Sequence, residues 1–199
     1  MEKLILTVDS KDQIITYRNE NSLVRYEPLI LNEILFAAEA GDTSLLNWFN
    51  GFGDSFRSII MNVYAYRKGL EFGFTEIAFD QYGWLLRPRF LFTEELVFGN
   101  EKRYGEHSTL KIAKGNHNVW TNALSYSFGT AGGGSGLSVF GKQFNSREAA
   151  VSAGILELKT RMTAKVGDSD RSNYNPQVIR GTLNDVAKFE LESVQLTLF

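Results

Sequence analysis

The chain has 199 residues, 43% hydrophobic and 13% aromatic, which is ample for a packed core in one domain or two small ones. With 21 Lys and Arg against 23 Asp and Glu the formal net charge is -2, so no global basic field draws the protein onto nucleic acid or anionic lipid. The absence of cysteine excludes disulfides, thiolate nucleophiles and thiolate-held zinc, and it fits a cytoplasmic protein.

From the N-terminus, the runs LILTV and QIITY alternate around Asp9-Ser10-Lys11-Asp12, which predicts a β-hairpin opening a sheet. After Pro28 the spacing changes, with Leu31, Ile34, Leu35 and Ala38 marking a helix that Gly41 stops. Asp42 or Thr43 is expected to cap a short helix carrying Leu45, Leu46 and Phe49. Asp54 is expected to cap a longer one bearing Phe56, Ile59, Ile60, Val63 and Tyr64 and ending at Gly69.

Residues 74–128 read as an antiparallel β region of five short strands, FTEIAF, WLLRPRFLF, ELVFG, TLKIA and NVWTNALSYSF, with turns between them. Pro88 cannot donate to a ladder and so belongs at an edge or a bulge. Gly129 to Gly136 has no side chain able to pack a core and reads as a mobile loop or linker, followed by LSVFGKQF as a strand. Asn145, with Glu148 three residues on, predicts a capping box for a helix striped by Val151, Ile155, Leu158 and Met162. The polar stretch GDSDRSNYN is a loop. Pro176 then suits the first turn of a last helix faced by Ile179, Leu183, Val186 and Ala187.

The order of elements predicts an α+β fold, an antiparallel sheet with N-terminal helices and two C-terminal helices. The expected organisation is an α+β body over 1–128, a Gly-rich loop at 129–136, a strand and two helices over 137–193 on the same body, and a tail at 194–199. No apolar run is long enough to cross a membrane, so no membrane partner is expected. Charge is uneven: residues 1 to 80 hold seven basic and twelve acidic side chains, whereas 81–127 and 128–171 each hold six basic and four acidic ones.

The chemistry-bearing candidates are few. Gly136-Leu-Ser-Val-Phe-Gly141-Lys142 has the spacing of a phosphate-binding loop, yet Gln143 stands where a magnesium-holding hydroxyl is needed. The glycine amides with Lys142 and Arg147 are a candidate anion site. Tyr82, Trp84, Arg87 and Arg89, with Lys102, Arg103, Lys111 and Lys114, interleave rings and cations as a surface that stacks bases and tracks phosphates requires. His107 and His117 are ten residues apart, which is no metal-ligand spacing, and Glu94-Glu95 would face opposite ways on a strand. No catalytic, cofactor-binding or metal residue is nominated, and a non-enzymatic protein without a cofactor is expected.

The sequence closes Gln195-Leu196-Thr197-Leu198-Phe199. This pentapeptide resembles the motif by which bacterial replication and repair proteins dock on the DNA sliding clamp: Gln-Leu, a small or acidic residue, then Leu-Phe. The resemblance implies that Gln195 sets register through its amide, and that Leu196, Leu198 and Phe199 join it in the contact, with the last two filling an apolar pocket. Residues 120–162, an aromatic strand, a Gly-rich turn, a strand and a capped helix, also resemble segments of phage and plasmid DNA-processing proteins. The implied function is an accessory of DNA replication, repair or mobile-element maintenance with the sliding clamp as partner. Two alternatives stand beside it: a phage-type inhibitor that sequesters a host protein or nucleotide signal, and a nucleic-acid-binding protein using the basic aromatic surface on DNA. The alternation of Val194, Leu196 and Leu198 also fits a terminal strand completing the sheet.

Overall fold

The computed structural model describes residues 3–196, and these divide between Pro88 and Arg89 into two compact units. The class is α+β: helices at the N-terminal side, one antiparallel five-stranded sheet, and two helices toward the C-terminus.

The first unit is helical, with α1 (Lys11–Glu20), α2 (Glu27–Ala40), α3 (Thr43–Asn50) and α4 (Phe56–Glu71). The expected N-terminal hairpin is not there. Thr7 and Ser10 form a reciprocal capping box around a 3-10 turn, Val8–Ser10, and α1 follows directly. Two orphan amides are satisfied locally, so the QIITY run enters a helix despite its β-branched residues. Ile14 is then buried and Tyr17, one turn on, packs beside it. Gly41, in the left-handed region at φ 69°, closes α2, and Asp42 Oδ1 caps α3 by accepting from Leu45 N at 2.9 Å. At α4 the cap is Ser55 rather than the expected Asp54: Ser55 Oγ accepts from Ser58 N at 3.2 Å. The four helices enclose a core built on Leu31, Ile34, Leu46, Phe49, Phe52, Ile59 and Val63. Full burial of Phe49 and Phe52 contributes roughly 1.5–3 kcal/mol each.

The second unit is a sheet covered by helices. Strands β1 (Phe92–Gly99), β2 (His107–Lys114) and β3 (Trp120–Ser127) form a meander, with β4 (Gly132–Gly134) and β5 (Gln143–Phe144) both paired to β3. Three of the five strands expected over 74–128 are present. Farther upstream only a single bridge forms, Phe79 with Leu85. Leu96, Leu110 and Leu124 are cross-strand partners, an apolar column on the face covered by α5 (Arg147–Thr163) and α6 (Pro176–Leu196). The expected strand over 137–144 is reduced to Gln143–Phe144, because the chain turns at Val139-Phe140, where Gly141 N donates to Ser138 O at 3.0 Å. The cap of α5 is Ser146, one residue beyond the expected Asn145, with Ser146 Oγ accepting from Ala149 N at 3.1 Å. The polar loop before α6 is ordered by its own carboxylates. Asp170 accepts from Ser172 Oγ and Asn173 Nδ2, bonds that hold its pKa below the usual aspartate value.

Candidate functional site

The sequence candidates fall into three places. In the first unit, Tyr82 and Trp84 sit on a tight turn after α4. Asp80 Oδ1 accepts from Tyr82 N at 2.8 Å and from Trp84 N at 3.0 Å, while Gly83 N donates to Asp80 O at 3.0 Å. Gly83 has φ 81°, a backbone state that favours glycine. Asn62 on α4, 2% exposed, grips the turn from beneath. Its Nδ2 donates to Phe52 O at 2.7 Å and Gly83 O at 2.8 Å, and its Oδ1 accepts from Leu85 N at 3.0 Å.

The effect is to hold two aromatic rings outward on a braced turn. Tyr82 is 76% exposed and Trp84 40% exposed, so neither belongs to the core that aromatics on strands usually build. Tyr82 and Phe79 also border a cleft of about 470 Å³ shared with Lys3, Asp54, Ser58 and Gln81. Arg87 is exposed three residues after Trp84, and Arg89 is exposed at the start of the second unit. Asn62 carries no chemical signature in the sequence, since its partners lie ten to twenty-three residues away.

In the second unit, Gly132–Gly134 is strand β4 rather than a mobile loop. Backbone requires glycine at two of these positions: a Cβ would stand 2.5 Å from Tyr126 O at Gly132 and 2.7 Å from Ser125 Cα at Gly134, while at Gly133 it would press the Tyr126 hydroxyl at 2.9 Å. These residues pair with β3, and α5 starts only at Arg147, so the glycines are not a loop feeding a helix N-terminus. Arg147 makes a bidentate pair with Glu94, Nε to Oε2 at 2.7 Å and Nη2 to Oε1 at 2.6 Å, which raises the guanidinium pKa further. An anion would have to displace that carboxylate. Lys142 is exposed, its ammonium 5.4 Å from the Phe144 ring centre. Other basic candidates are also matched: Lys111 lies 3.3 Å from Glu95, and the Lys114 ammonium 5.6 Å from the Trp120 ring centre. Glu94 and Glu95 do face opposite sides of the sheet, one toward α5 and the other toward Lys111.

His107 begins β2, whereas His117 lies in the turn beyond its far end. Among the described residues no group of three or more His, Asp and Glu is placed to hold a metal. A polar cavity of about 300 Å³, absent from the sequence reading, is lined by Asn100, Glu106, Asn175, Gln177, Asn184 and Asp185 among others. Its amides and carboxylates are spread over the β1–β2 turn and α6, a convergence of distant residues that no local motif announces. Asp185 is already used in part, accepting from Gly99 N at 2.7 Å.

The third place is the end of α6. Gln195 and Leu196 belong to its last turn, so residues 194–196 are helical and do not form the terminal strand that their alternation allowed. Leu198 and Phe199 lie outside the described residues. Phe189 of α6 packs against the core, and Leu191, Glu192 and Ser193 are exposed. No helix among the described residues is long and apolar enough to cross a membrane. No protein-family model, no curated protein and no solved structure matches the chain.

Proposed function

We propose that this protein is a non-enzymatic accessory of DNA replication, repair or mobile-element maintenance that docks on the bacterial DNA sliding clamp through residues 195–199. The observation that carries the reading is the pentapeptide Gln195-Leu196-Thr197-Leu198-Phe199, every position of which fits the clamp-binding pattern. Docking in an extended form requires Gln195 and Leu196 to leave α6.

The helix end favours that release. Beyond Phe189, Glu190 is tied to Lys159 of α5 at 2.7 Å, whereas Leu191, Glu192 and Ser193 are exposed and Ser193 Oγ donates to Phe189 O at 2.8 Å, a bond within the helix itself. No basic residue occupies the last turn, so no cation there offsets the negative end of the helix dipole. Burying Leu198 and Phe199 in a pocket gains roughly 1.5–3 kcal/mol each, less the cost of ordering the peptide, which gives weak, reversible docking. In the complex, amide signals of residues 190–196 of isotope-labelled protein should lose their helical shifts when purified clamp is added, while those of β1–β3 stay in place. Signals that move only in the sheet would refute this mode of docking.

A second reading is favoured by the braced, exposed Tyr82 and Trp84: the first unit stacks bases of single-stranded DNA on these rings, with Arg87 and Lys3 as the nearby cations in sequence and cleft. A mixed-sequence oligonucleotide should quench tryptophan fluorescence in the wild type, less so in Trp84→Phe, with an affinity that falls steeply as salt rises. Equal quenching in Trp84→Phe rules this reading out.

A further inference from the structure

The outer face of α2 carries an apolar knob and an apolar hole on one helix. Phe36 is 70% exposed and Leu29 63% exposed, and seven residues separate them, about 10.5 Å along the axis on nearly the same side. Leu29 borders an open groove of about 660 Å³ with Leu23, Val24, Arg25, Tyr26 and Tyr64. The groove is preformed. Tyr26 and Tyr64 stack with ring centres 3.7 Å apart, and the entering turn is fixed by Val24 N donating to Glu27 Oε2 at 2.7 Å and Glu27 N donating to Val24 O at 2.9 Å.

We propose that two copies of this chain pair through this face, with the α2 helices antiparallel about a twofold axis near Asn32 and Glu33, each Phe36 entering the groove beside the other copy's Leu29. A twofold contact needs a patch that complements itself, and a knob and a hole placed symmetrically about one point meet that need. The charges agree with this direction and not with the parallel one. Arg25 stands at the start of the face and Glu39 at its end, both exposed, and neither is bonded to an ionic partner among the described residues. Antiparallel pairing brings each Arg25 to the other copy's Glu39 and to the carboxyl end of its helix, whose dipole also favours a cation. Near the axis the two Glu33 carboxylates would repel, but each is already matched by Arg67, whose Nη1 donates to Glu33 Oε1 at 2.8 Å. The patch is small, so the dimer forms with rising concentration rather than permanently.

This inference rests on the first unit alone and is independent of clamp docking. Sedimentation equilibrium of the full chain over a wide concentration range tests it. The wild type should shift from monomer to dimer, Phe36→Asp should remain monomeric, and Arg25→Glu should weaken association at least about tenfold. The double variant Arg25→Glu, Glu39→Arg should regain most of that loss. Circular dichroism should show all variants folded, since every altered side chain is exposed. A wild type that stays monomeric, a Phe36→Asp variant that associates as the wild type does, or a charge swap no tighter than Arg25→Glu would overturn the proposal.

Discussion

Asn62 shows how much one buried polar side chain decides. It makes three bonds at once, to Phe52 O, Gly83 O and Leu85 N, and thereby braces from beneath a turn that Tyr82-Gly83 already marks in the sequence. Replacement by Leu keeps the volume but leaves those backbone groups without partners, each a cost of about 1–3 kcal/mol unless water reaches it. Asn62→Leu should lower the stability of the first unit by about 2–4 kcal/mol in urea unfolding and abolish hydrogen-exchange protection at Leu85. Retained protection at Leu85 would mean that the turn is self-supporting through Asp80. The exposed pair Tyr82 and Trp84 was visible in the sequence as an aromatic cluster beside arginines. That they would point outward was not, because the residue that fixes them lies on a helix some twenty positions earlier.

At the scale of elements, helices were the legible part. Their stripes and terminators, such as Leu31, Ile34 and Ala38 before Gly41, are local, and the structure moves the caps of α4 and α5 by only one residue. The errors came where alternation stood in for context. QIITY has the spacing of a strand, but the capping box of Thr7 and Ser10 just before it starts a helix. The triglycine segment looked like a linker, and becomes a strand because only glycine lets β4 approach β3 so closely. A similar close approach sets the packing of α5 on the sheet. A Cβ at Gly154 would stand 2.3 Å from Leu110 Cδ1 and 3.0 Å from its Cγ, and Leu110 is fully buried with no room to swing away. Gly154→Ala should therefore destabilise the second unit by about 1–3 kcal/mol, outweighing the helix-propensity gain of about 1 kcal/mol. Thermal unfolding followed by near-ultraviolet circular dichroism reads this directly; a raised midpoint would mean that helix and sheet separate freely.

For the whole molecule, two units with separate cores share the chain and carry different charges. Residues 1–88 hold eight basic and twelve acidic side chains, and 89–199 hold thirteen and eleven. Neither unit has an unbalanced basic surface, and the best-placed arginine, Arg147, is bound to Glu94. With that balance, the two proposed contacts with large partners rest on compact apolar features, the Leu198-Phe199 pair and the α2 face, rather than on a broad electrostatic field. The terminal pentapeptide is the most specific signal in the sequence, because the resemblance it carries rests on five consecutive residues and needs no tertiary context.

Clamp binding by that pentapeptide is measured most directly by titrating purified bacterial sliding clamp with the full chain and with a Leu198→Ala, Phe199→Ala variant. The wild type should bind with a dissociation constant of order micromolar and the double variant at least about a hundredfold more weakly, as expected for losing two buried apolar anchors. Equal affinity for the two, or no binding by the wild type, would contradict the account.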